Sequence, residues 1–119
     1  MNTDIRAVIL TTTVDDDQAV DRLIAALLEP RIAACAQVST VHSVFWWQGR
    51  LQQADESRIQ VKLPSARVDD AIAAIRAVHP YEVPEIVVTP ILDGNPDYLA
   101  WIDAETAPDA SRPPAPPPR

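Results

Sequence analysis

Hydrophobic positions along this chain switch between two spacings, and the switches divide it into elements. Ala7-Val8-Ile9-Leu10 is a continuous apolar run rich in branched side chains, followed by Thr11-Thr12-Thr13. A run without polar alternation suits a strand covered on both faces, hence a central one. Val20, Leu23, Ile24, Leu27 and Leu28 then recur at helical spacing, the stripe of a helix packed on one side. Asp15-Asp16-Asp17 before it supplies an N-cap and puts negative charge at the helix N-terminus. Pro30 predicts the stop, with Glu29 pushed out of helical geometry. Ile32, Ala34, Ala36 and Val38 fall at period two and predict a strand over 31–38, with Cys35 on its other face. The strand resumes at Val41-His42-Ser43-Val44-Phe45-Trp46-Trp47, and Gln48-Gly49-Arg50 is read as the turn. Adjacent tryptophans on a strand point to opposite faces, so one of Trp46 and Trp47 can reach the core and the other must lie on a surface, where it reads as interface.

The clearest alternation runs from Glu56 to Leu63, with Ile59, Val61 and Leu63 facing one way and Arg58, Gln60 and Lys62 the other. Pro64-Ser65 opens a second helix, striped by Val68, Ala71, Ile72, Ile75 and Val78, with Asp69 and Asp70 in its first turn. Ile86-Val87-Val88-Thr89-Pro90-Ile91 reads as a last strand; Pro90 cannot donate to a ladder, which assigns it to an edge. After the turn Asp93-Gly94-Asn95-Pro96, Asp97 is expected to cap a short helix that buries Tyr98, Leu99, Trp101 and Ile102. The order is β-α-β-β-α-β with a terminal helix. This predicts an α+β, ferredoxin-like antiparallel sheet with two helices on one face. The domain spans 1–105. Residues 106–119, ending Pro-Pro-Ala-Pro-Pro-Pro-Arg, are expected to be a disordered, partly polyproline II tail. With one face of the sheet open and aromatic residues left over, self-association through that face and the strand edges is the economical solution.

Composition narrows the function classes. The 119 residues are 47% hydrophobic and 23% charged, as in a soluble globular domain. Net charge is −7; residues 106–119 hold Asp109, Arg112 and Arg119, so the body carries 8 basic and 16 acidic groups. A body at −8 disfavours a nucleic-acid partner. The single cysteine, Cys35, excludes an internal disulfide framework and suits a reducing compartment. Neither a membrane span nor a signal peptide is recognisable, so a cytoplasmic location is expected.

Candidate chemistry concentrates in His79-Pro80-Tyr81-Glu82-Val83-Pro84-Glu85. Its two prolines stiffen a connector that carries an imidazole, a phenol and two carboxylates. Two readings stand side by side: a rigid helix-to-strand turn with solvated glutamates, or a site held between packed elements. Cys35 likewise reads either as a small packing residue or as a ligand. A Cys35–His79 pair has the elements of a nucleophile and its base, but no orienting third group or oxyanion element accompanies it. The chain is therefore read as non-enzymatic, with no catalytic residue.

Four motifs stand in order: Arg31-Ile32-Ala33-Ala34-Cys35, Trp47-Gln48-Gly49-Arg50-Leu51, the His79–Glu85 connector, and Gly94-Asn95-Pro96-Asp97-Tyr98-Leu99-Ala100-Trp101. On these motifs the chain resembles the CutA family of divalent-cation-tolerance proteins, over about residues 5–105. The resemblance implies a ferredoxin-like fold and a tight homotrimer, with sheet edges and long hairpins pairing between subunits. It implies a cytoplasmic bacterial protein linked to tolerance of copper and other divalent cations. It also implies a trimer similar in architecture to PII signalling proteins. Copper sites proposed for the family use cysteine and histidine, since thiolate suits Cu(I) and imidazole suits Cu(II). Where some members have a cysteine in the first strand this chain has Thr11, and where some have a second histidine it has Val78. His79 and Cys35 are what remains as candidate metal ligands. A set of His79, Glu82 and Glu85, completed across a subunit interface, is the weaker option. No cofactor is obligatory under this resemblance; a divalent cation or copper is the one it implies. The rival expectation is a signalling or scaffold module that binds a small molecule or protein partner in an inter-subunit cleft lined by Trp47, Tyr81, Glu82 and Glu85, without specific metal.

Overall fold

The computed structural model describes residues 4–108. Four strands form one antiparallel sheet: β1 (Ala7–Val14), β2 (Cys35–Trp47), β3 (Arg50–Pro64) and β4 (Ile86–Pro90). Their spatial order is β2-β3-β1-β4. Helices α1 (Asp17–Leu28), α2 (Val68–Val78) and α3 (Pro96–Thr106) complete the expected order. This is the ferredoxin-like arrangement. β1 lies between β3 and β4, with Leu10 opposite Val61 on one side and Val88 on the other. Its unbroken apolar run is accounted for by burial on both faces. β4 is an edge strand, as Pro90 requires.

The main core lies between the sheet and the first two helices. Leu10, Val14, Ile59, Val61 and Leu63 meet Leu23, Leu27, Ala71 and Ile75, all fully buried. Each such Leu or Ile removed from water contributes about 1.5–3 kcal/mol. α3 lies over the other face at the Lys62 end. Lys62 points away from Val61 and Leu63, and its Nζ sits 6.0 Å from the Tyr98 ring. Of the residues expected to anchor α3, only Ile102 is fully buried; Leu99 and Trp101 are half-buried, and Tyr98 is exposed and stacked on Trp101.

Several boundaries differ from expectation, each for a local backbone reason. Asp16 caps α1 through the Gln18 N–H, as the aspartate run predicts. At the other end Glu29 stays helical, at φ −60° and ψ −45°. The turn comes later, at Arg31, with φ 58°. The Arg31 N–H bonds to the Leu28 carbonyl, and those of Ile32 and Ala33 both bond to that of Leu27. These donors close the helix and are lost to the ladder, so the strand begins at Cys35 rather than Arg31 and then runs unbroken through Trp47. A 3₁₀ turn over Ser65–Arg67 precedes α2. Asn95, not Asp97, caps α3: its Oδ1 accepts from the Asp97 N–H, and Pro96 occupies the first helical position, where its fixed φ is already suitable. α3 continues through Thr106, whose hydroxyl donates to the Ile102 carbonyl at 2.8 Å, so this buried residue belongs to the body rather than the tail. The rest of the Pro-rich tail, from Asp109, lies outside the described residues.

The largest departure from a plain ferredoxin-like sheet is the length of the central hairpin. β2 and β3 pair continuously from Cys35 opposite Lys62 to Trp47 opposite Arg50. β1 follows β3 only as far as Ser57. Residues 41–47 and 50–56 therefore extend as a two-stranded arm. Gln48 and Gly49 close it at φ 53° and 74°, the left-handed pair of a type I′ turn, which needs just two residues. Neither tryptophan reaches the core: Trp46 is 72% exposed and Trp47 51%. Alternation brings one of them into a core only where a layer covers the sheet, and on the arm both stay exposed.

Candidate functional site

The connector between α2 and β4 is held at several points. Pro80 keeps His79 extended, at φ −71° and ψ 133°, so the helix ends on it, with its N–H still bonded to the Ile75 carbonyl at 2.8 Å. The ring then folds against the end of β1. His79 Nε2 donates to the Thr13 carbonyl at 2.9 Å, and Nδ1 accepts the Tyr81 N–H at 3.1 Å. The two rings are tilted, with centroids 4.8 Å apart. Tyr81 donates its hydroxyl to Glu56 Oε2 at 2.8 Å. Burial, first, and then the Glu56 and Asp15 carboxylates push the Tyr81 phenol above its ordinary ionisation range. Glu82 and Glu85 remain exposed. Beside them a shallow depression of about 330 Å³ is lined by Ile72, Arg76, Glu82, Val83, Pro84 and Ile86.

This geometry bears directly on ligand chemistry. An imidazole that donates from one nitrogen and accepts at the other has no lone pair left for a cation. Cys35 is half-buried and stands opposite Lys62, whereas the His79 anchor Thr13 stands opposite Arg58. Four positions of strand, roughly 13 Å, separate those two points. The structure thus brings His79 and Tyr81 together and leaves Cys35 apart from them. Among the described residues no three His, Cys, Asp or Glu side chains gather as a metal site. A divalent cation or copper at Cys35 and His79 does not fit the arrangement within one chain. Trp47 is also remote: it sits at the tip of the arm, while Tyr81 meets Glu56, six positions down β3 from Arg50. Six residues of strand are roughly 20 Å. Within one chain, Trp47 therefore shares no cleft with Tyr81, Glu82 and Glu85.

Two partners escaped the sequence. Glu56 shares the parity of Arg58 and Lys62, the wet face, and nothing in that pattern marks it as 8% exposed beneath a tyrosine. His42 Nδ1 lies 2.8 Å from Asp55 Oδ1, an ion pair when the ring is protonated. A two-residue turn at Gln48-Gly49 fixes that pairing by counting outwards, so here a usable signal existed.

Comparison with known proteins agrees with the fold and motifs. The model of the CutA1 divalent ion tolerance protein family matches residues 8–105. This chain belongs to that family. The divalent-cation tolerance protein CutA of Pectobacterium atrosepticum is 34% identical over 99 residues, covering 82% of this chain and 90% of that one. CutA of Archaeoglobus fulgidus, described as a periplasmic divalent cation tolerance protein, superposes with a TM-score of 0.82 at 30% identity, covering 85% of this chain and 99% of that one. CutA1 of Oryza sativa gives 0.82 at 30% identity, covering 89% and 98%. The CutA1 family is named for tolerance of divalent ions and not for a reaction. No helix among the described residues is long and apolar enough to cross a membrane.

Proposed function

We propose that this CutA1-family chain is a non-catalytic, cytoplasmic homotrimer serving divalent-cation tolerance, and that it acts as a binding scaffold rather than through a Cys35–His79 metal centre. The arm is the observation that carries the reading. Val44, Phe45, Trp46, Trp47 and Leu51 stand exposed on the two-stranded arm. Two strands alone are marginal in water, and clustered apolar side chains of this kind mark association surfaces. A second copy supplies what the arm lacks, and the third closes the ring. Its Trp47 would meet the Tyr81, Glu82 and Glu85 of a neighbour. That cleft would offer apolar area and carboxylates to a small molecule or protein partner, as ligand sites do. The engaged His79 ring favours this non-metal reading over copper ligation.

Calorimetric titration with Cu(II) and Zn(II) tests the choice, using the wild-type chain, His79→Gln and Cys35→Ser. The expected result is no saturable binding at a fixed ratio per subunit that depends on either residue. Stoichiometric binding that disappears in those variants, with their fold intact by circular dichroism, would restore the metal centre.

A further inference from the structure

The arm carries a second feature besides its aromatic side chains. His42 stands directly opposite Asp55 across the ladder. Its Nδ1 lies 2.8 Å from Asp55 Oδ1, and its Nε2 lies 3.0 Å from Gln53 Oε1. Both neighbours present oxygen acceptors, and only a doubly protonated imidazolium donates from both nitrogens at once. When the ring is neutral, one nitrogen has no proton to give; the Gln53 amide must then turn its NH₂ inward or the contact opens. Thr40, Val44 and Ser57 are the other near residues on that side of the ladder, and none titrates. Asp55 is therefore the charged group facing His42, while Glu56 is engaged with Tyr81. The bonds to Asp55 and then Gln53 also raise the proton affinity of His42 above the ordinary value of 6.5.

We propose that His42 is a protonation-sensitive clasp of the arm: the imidazolium ties Val41–Trp47 to Arg50–Glu56 through Asp55 and Gln53, and the neutral ring loosens them. The clasp goes beyond the scaffold reading and stands on contacts inside one chain. Within one chain the arm has only these two strands, so a contact between them adds to whatever a neighbouring copy supplies. A group held above 6.5 in the folded state stabilises fully below 6.5 and loses that contribution as pH rises through the raised value. Acidification therefore tightens the arm. The pair is exposed, so the effect is modest and weakens with salt.

The test is NMR on the full chain as wild type, His42→Gln and Asp55→Asn. Imidazole titration is followed together with amide hydrogen exchange of residues 41–47 at about pH 5.5 and about pH 8, each corrected for intrinsic exchange rates. The wild-type His42 should titrate above 6.5 and return towards that value in Asp55→Asn. Arm amides should be roughly two- to fivefold better protected at the lower pH, the range of an exposed ion pair, and both variants should lose the difference. Titration of His42 at or below 6.5, or an unchanged pH dependence in His42→Gln, would overturn the clasp. Sedimentation of the same samples keeps the two ideas separate: a monomer throughout would remove the scaffold reading and leave these NMR outcomes to decide the clasp.

Discussion

One ladder, β2 with β3, runs through two environments. From Cys35 to Thr40 it is backed by β1 and sits within the body. There Ile59 and Val61 are fully buried, and Ala36 packs at the edge of the core. From Val41 to Trp47 the same two strands continue without β1, and large apolar side chains face water. Hydrogen bonding and alternation barely change along the ladder; what covers it does. Body residues stabilise the fold of one chain. The arm's large apolar residues have no such cover within the chain, and the proposed association would supply it.

The largest effect is expected at the core. Leu23→Ala should cost about 2–5 kcal/mol in denaturant unfolding, because a fully buried leucine leaves a cavity the layers cannot close. A cost no larger than that of Trp46→Ala would erase the distinction between body and arm. The paired change Trp46→Ala with Trp47→Ala should leave helix content by circular dichroism unchanged. It should weaken self-association by about 2 kcal/mol or more, roughly thirtyfold, the loss typical of aromatic anchors. Sedimentation on dilution reads this directly, and an unaltered association constant would mean that the arm is not the contact.

Smaller effects sharpen the junction between the two regions. Tyr81→Phe leaves the buried Glu56 carboxylate without its donor and should cost about 1–3 kcal/mol. Because the Tyr81 phenol is raised in the fold, the unfolded chain ionises first on alkalinisation. The contribution is full below about pH 10 and falls away as pH rises further. Unfolding curves of Tyr81→Phe should lack that alkaline component; an identical alkaline loss would assign it elsewhere. Asn95→Ala removes the cap of α3 and should cost about 1 kcal/mol, with Asp97→Ala costing less. The reverse order would return the cap to Asp97.

Much of the body was legible because its elements obey local rules. The period-two face of Ile59, Val61 and Leu63 and the helical stripe from Val20 to Leu28 each point to one covering layer, and the layer is there. Pro90 identified the edge strand by chemistry alone. The start of β2 was not legible, because a non-glycine residue at φ 58°, Arg31, closes α1 after Pro30. Arg31 also ties that turn to α3 through the Glu105 carboxylate and carbonyl, each at 3.0 Å, a contact 74 residues away in sequence. In the candidate site the stiff connector was visible, and its anchors were not. Thr13 contributes a backbone carbonyl, which has no sequence signature, and Glu56 lies on a strand face whose pattern reads as solvated. Cys35 and His79 look like a ligand pair in a residue inventory, and only the register shows Cys35 four strand positions away from Thr13, which anchors His79.

The proposed function has the arm covered by other copies of this chain. Sedimentation equilibrium of the purified full-length protein, diluted from micromolar to nanomolar concentration, tests it most directly. A homotrimer should give a single species of about 39 kDa, three times the 13.0 kDa chain, persisting well below micromolar concentration. A stable 13.0 kDa monomer across that range, with the tryptophans still exposed, would contradict it.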